Sequence, residues 1–143
     1  MPSLLPKIDT VIPLALPGSA MAQEPIRISS DWGDVSTQLT DNDAARAFAR
    51  MLPLAIEPGD HLNQEKVNTL PSALPDGNRQ RDFSAGMLGL WADDHFVIYY
   101  RSGRVPPPGI VVLGHVPGDV SVFDRPGPVT VDIRRAERGG PDT

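Results

Sequence analysis

Breaker residues constrain this chain more than any other feature. Sixteen prolines and thirteen glycines are scattered among short apolar runs. A proline inside a helix removes an N–H and clashes with the preceding turn, and one inside a sheet cannot donate to the ladder. Most of the sixteen must therefore lie in turns and at strand ends. The runs between them are short and rich in β-branched or aromatic residues. They are Ile26–Ile28, Val35–Leu39, Glu65–Leu70, Met87–Trp91, Phe96–Arg101, Ile110–Val116, Val120–Phe123 and Val129–Ile133. Eight or nine such strands predict a mostly-β domain over residues 23–135. Closing them into an antiparallel barrel removes exposed sheet edges.

One segment departs from this pattern. Across residues 41–52, Ala44, Ala45, Phe48, Met51 and Leu52 recur at helical spacing, while Arg46 and Arg50 fall on the opposite side. Thr40 or Asp41 can cap the first amides, the early acids suit the positive end of the dipole, and Pro53 stops the helix. Residues 71–85 are polar and punctuated by Pro75, Asp76, Gly77 and Asn78, which predicts a mobile loop. Residues 136–143 are expected to fray.

Residues 1–22 have the plan of a secretory leader. Lys7 precedes the apolar stretch Val11–Leu16, and Ala20-Met21-Ala22 has the small-x-small form of a cleavage site. That reading places the mature protein in the periplasm or outside the cell. The alternative is translation from Met21 and a cytoplasmic protein. No stretch has the length of a membrane span. A formal charge of −5 gives the chain no electrostatic reason to seek phosphate backbones, so nucleic acid is not expected as a partner. The absence of cysteine removes disulfides, thiolate metal sites and cysteine nucleophiles.

Several short segments, in this order, resemble the bacterial cyclophilin-like family of small barrel proteins. They are Asp41-Asn42 with Ala44 and Phe48, Met51-Leu52-Pro53-Leu54, Glu65-Lys66, Leu70-Pro71, Phe96–Tyr100 and Gly109–Gly114. The likeness spans about residues 26–133. It implies an antiparallel barrel shaped like the cyclophilins, with one helix packed at an opening. Family members usually carry Gly-Asp before the Trp91 region, where this chain has Gly86-Met87. True cyclophilin isomerases also have a Gln-Gly-Gly-Asp stretch and a Phe-rich groove, and neither is present. The resemblance therefore implies a shape and carries no isomerase site with it.

The candidate chemistry is sparse. Glu65-Lys66 is a candidate anion site, with Lys66 binding and Glu65 orienting or moving a proton. Neighbours on a strand point to opposite faces, however, so only one of the two can line a barrel mouth. Arg101, after Tyr99-Tyr100, is the best donor for an isomerase, because its charge is permanent and its fork rigid. His61, His95 and His115 lack a short ligand spacing, so neither a metal nor a cofactor is expected. Neither Ser84 nor Ser102 lies in a nucleophile elbow, and no phosphate loop precedes a helix. Pro106-Pro107-Pro108 reads as a rigid connection; docking in an aromatic groove is the alternative. These readings favour a domain that binds a small molecule or short peptide at one barrel opening, lined by Glu65, Lys66, Trp91, Tyr99, Arg101 and His115. Two other functions follow from different features: a peptidyl-prolyl isomerase from the shape, and a protein-interaction module from loops 71–85 and 104–109.

Overall fold

The structure is a computed structural model that describes residues 24–136. The expected leader, residues 1–22, lies outside the described residues, as does the tail beyond Ala136. In chain order the elements are β1 (Pro25–Ser30), β2 (Gly33–Leu39), α1 (Asp43–Arg50), β3 (Leu54–Ile56), β4 (Gly59–His61), β5 (Glu65–Thr69), β6 (Asp82–Phe83), β7 (Met87–Trp91), β8 (His95–Tyr99), β9 (Gly103–Arg104), β10 (Val111–His115) and β11 (Val131–Arg135). Val120–Phe123 is not a strand: Ser121–Phe123 forms a 3-10 turn, begun by the Asp119 carboxylate accepting from the Ser121 N–H at 2.9 Å. The helix is capped by Asn42 rather than Thr40 or Asp41. The Asn42 side chain accepts from the Ala45 N–H at 2.8 Å and donates to the Val112 carbonyl at 2.8 Å, tying the helix start to β10.

Nine strands form one strongly curled sheet in the order β3-β11-β1-β2-β10-β7-β8-β5-β4, and every pairing is antiparallel. The expected closed barrel is corrected to a half-barrel, because the edge strands β3 and β4 do not pair. The reason is local. These strands have three residues each and are consecutive in the chain, joined only by Glu57 and Pro58, and Pro58 has no N–H to offer. The gap is filled by the segment leading into β11. There the Val129 N–H donates to the Pro58 carbonyl at 3.1 Å.

Two clusters hold the sheet. On its concave face Ile26, Ile28, Leu88, Leu90, Phe96, Ile98, Val111, Leu113, Val131 and Ile133 pack against α1, with Phe48 stacked on Phe96 at 4.9 Å. On the convex face a smaller cluster joins Phe83, Met87, Val97, Tyr99, Val105 and Ile110. This explains a difference between strands. In β2, buried and open positions alternate, because its outer face meets water. In β7 and β8 nearly every residue is buried, because both faces are covered. The cover on the convex side is the 71–85 segment together with residues 101–110.

Candidate ligand groove

That covering segment is fastened along its length, a correction to the mobile loop expected there. Leu74 is buried, and its N–H donates to the Asp93 carbonyl at 2.7 Å. Gln80 and Ile110 exchange backbone hydrogen bonds at 2.9 and 2.8 Å, and Arg81 Nε donates to the Val105 carbonyl at 2.9 Å. β6 and β9 pair as a small ribbon, placing Phe83 over Tyr99 with ring centroids 3.9 Å apart. Arg79 ties three pieces together. Its Nε donates to Asp76, Nη1 to the Gly109 carbonyl at 3.0 Å and Nη2 to the Ala92 carbonyl at 2.8 Å. Gly109 has φ +91°, and a Cβ there would run into the Gln80 carbonyl, so the connection can turn here only with glycine.

The space enclosed by these pieces is a cavity of about 460 Å³ lined by Asp76, Arg79, Trp91, Ala92, His95 and residues 106–109. Trp91 is 38% exposed and, among the described residues, is one of two large apolar side chains left open to water. The β-strand period explains why. Along β7, Met87, Gly89 and Trp91 point to the convex face; the ribbon covers Met87, and Trp91 lies beyond its reach. The His95 ring meets the indole edge-on at 5.8 Å, and the His61 ring lies 6.1 Å from it on another side. Each imidazole is oriented by a carboxylate: His95 Nδ1 lies 2.8 Å from Asp94, and His61 Nδ1 lies 3.1 Å from Glu65.

The six residues singled out from the sequence do not converge on one opening. Glu65, Tyr99 and Trp91 share the convex face. His61, Glu65 and Tyr99 form one cross-strand row over β4, β5 and β8. Burial pushes the Glu65 carboxyl above the usual glutamate range, against the opposing hydrogen bonds of Gln64 and His61. The buried Tyr99 hydroxyl has no partner among the described residues, and burial followed by the nearby Glu65 pushes its pKa up.

Lys66 faces the other way, as strand alternation requires. It is fully buried near the β3/β4 gap, and all three of its donors are used. Nζ donates to Asp60 at 2.9 Å, to the Gly127 carbonyl at 2.9 Å and to the Arg125 carbonyl. The ammonium also sits 5.0 Å from the Trp32 ring centre and 5.6 Å from that of Tyr100. Tyr100 donates its hydroxyl to Asp60 at 2.6 Å. Burial alone would raise the Asp60 carboxyl, but the bonds from Tyr100 and Lys66 outweigh it and hold that carboxyl below its ordinary range. Arg101 is exposed, paired with Asp124 at 2.8 Å and lying over the Tyr100 ring. His115 is exposed at the end of β10, where its carbonyl accepts from the Thr37 hydroxyl.

Sequence reasoning missed Arg79, His95 as a lining residue, and the proline run as a wall. A signal for the last was present, since three consecutive prolines form a stiff apolar segment. Nothing in the sequence brings these residues together, because the groove is assembled from three separate stretches, two loops and the β7–β8 turn with its strand ends.

A family model described as the cyclophilin-like family matches residues 28–134. No curated protein matches the chain. Among solved structures, the solution structure of a hypothetical protein from Archaeoglobus fulgidus matches at a TM-score of 0.65 and 16% identity. The match covers 80% of this chain and 96% of the archaeal one. At that identity the likeness is one of fold. Among the described residues no helix is long and apolar enough to cross a membrane.

Proposed function

The chain belongs to the cyclophilin-like family, and from that premise, which supplies a scaffold and no substrate, we propose that it is a ligand-binding domain whose site is the groove at Trp91. The observation that carries this reading is a half-open indole facing a rigid proline wall across a cavity of about 460 Å³. That size is typical of small-molecule sites, which are concave, mostly apolar and largely preformed. Preformation matters because ordering a loop on binding costs affinity. Here the walls are already fixed by Arg79 and the Gln80–Ile110 bridge. The site lies on the outer face of the curled sheet instead of at a barrel opening. Of the six candidates, Trp91 lines it, while Glu65 and Tyr99 lie on the same face behind His61.

The polar network at Lys66 supports a structural role for that residue. An ammonium whose three donors are all satisfied internally has none left for an anion. Arg101, held by Asp124 on the surface, does not line the groove.

A thermal-shift screen of small organic compounds against the full chain tests the proposal. A binder present at 100 times its Kd raises stability by about 2.7 kcal/mol. Trp91→Ala should abolish the shift of the compounds that stabilise the wild type. If those compounds stabilise Trp91→Ala to the same extent, the groove is not the site.

A further inference from the structure

One anionic oxygen at the groove is unspent, and it indicates what the groove holds. Arg79 directs its Nε and both Nη atoms into Asp76 and two carbonyls, with only 16% of its side chain exposed. Asp76 accepts from the Gly77 N–H and from Arg79 Nε, each at 2.9 Å, and both bonds fall on Oδ1. Its second oxygen, Oδ2, has no partner among the described residues, on a side chain that is 75% exposed. The Gly77 N–H, with Arg79 second, holds this carboxyl below its ordinary range, so it is ionised wherever the protein is folded at neutral pH. His95 has its Nδ1 engaged by Asp94. Among the lining residues Asp76 stands against Arg79, and Asp93 and Asp94 fall in the short turn between the lining residues Ala92 and His95. With that turn counted the surroundings are negative, in a chain already at −5.

Apolar walls, an open indole and one unspent anionic oxygen suit a cation with an apolar body. An anion would meet Oδ2 as a like charge, and the Arg79 guanidinium beside it is already paired with Asp76. We infer that the groove binds a small organic amine, its ammonium directed to Asp76 Oδ2 and its carbon skeleton packed on Trp91 and the proline wall. This rests on the groove being the binding site. The indole contributes a second attraction, because a cation near its face is drawn to the ring quadrupole.

The experiment follows the indole N–H resonance of Trp91 in the full chain during titration with three probes of matched skeleton: 3-phenylpropylamine, 3-phenylpropanol and 3-phenylpropionate. The amine should bind about tenfold more tightly than the carboxylate, with the alcohol between, as expected for one partly screened charge contact. Asp76→Asn keeps the Oδ1 acceptor that organises the loop. It should shrink the amine-to-carboxylate ratio to below about threefold while leaving the alcohol unchanged. Added salt provides a check that needs no variant, since it should weaken the amine and spare the alcohol. A carboxylate that binds as tightly as the amine, or a ratio unmoved by Asp76→Asn, overturns the inference while leaving the groove intact. Tighter binding by a lysine-containing acetylated pentapeptide than by the amine also overturns it, assigning the site to a peptide. If none of the probes, the neutral one included, moves Trp91, the groove reading fails together with this one.

Discussion

Removing the Lys66 ammonium tests the claim that the half-barrel gap is held by a buried charge. In Lys66→Met the apolar stem is roughly retained, but three acceptors lose their donor at once: Asp60, the Gly127 carbonyl and the Arg125 carbonyl. Asp60 keeps only the Tyr100 hydroxyl among its side-chain donors, at 2.6 Å. Breaking a buried pair by deleting one partner costs ~3–5 kcal/mol, because the other charge is left without compensation. For a domain of this size ~1 kcal/mol moves the melting temperature by several degrees, so the expected fall is about 10–25 °C. Urea titration followed by far-UV circular dichroism measures the loss directly. Asp60→Asn and the double variant complete a cycle, in which the two sites should couple by ~1–3 kcal/mol. An exposed ion pair contributes no more than ~1 kcal/mol. A loss that small in Lys66→Met refutes the reasoning.

Two other predictions concern the convex face. The folded Glu65 pKa lies above its unfolded value, so its stabilising contribution is complete below about pH 4 and is lost as pH rises through the folded value. Glu65→Gln should remove that decline, which appears in urea titrations at a series of pH values as a wild-type curve falling relative to the variant; parallel curves would contradict it. Tyr99→Phe deletes a buried hydroxyl without a partner and keeps the stack on Phe83, so stability should stay level or rise by ~1 kcal/mol. A loss of that size in thermal melts would mean the hydroxyl has a partner.

Much of the fold was legible because it depends on local rules. The helix was set by Ala44, Ala45 and Phe48 on one face and by Pro53, and the strands by short runs between breakers. The Glu65-Lys66 separation to opposite faces followed from the β-strand period alone. What escaped detection was non-local. Closure depended on whether β3 and β4 could meet, which three-residue strands and Pro58 prevent. Phe96–Tyr100 is aliphatic or aromatic at every position, the mark of a strand covered on both faces, yet nothing local says that residues 71–85 supply one cover. That stretch has few apolar residues besides Leu74 and Phe83, so its anchors, which are backbone carbonyls and Arg79, leave no hydrophobic pattern. The groove inherits this difficulty, since its lining combines strand ends and loops whose relative positions only the assembled sheet defines.

The two tryptophans offer the most direct test, because they mark the two places where a ligand could act. Trp91 opens onto the convex groove, whereas Trp32 packs against the main core beside Lys66 and Arg125. In a ¹⁵N-labelled full chain each contributes one indole N–H signal, assignable by substitution. Compounds that stabilise the protein should shift the Trp91 signal and leave that of Trp32 in place. Movement of Trp32 with Trp91 stationary would locate binding at the inner polar network and contradict the account.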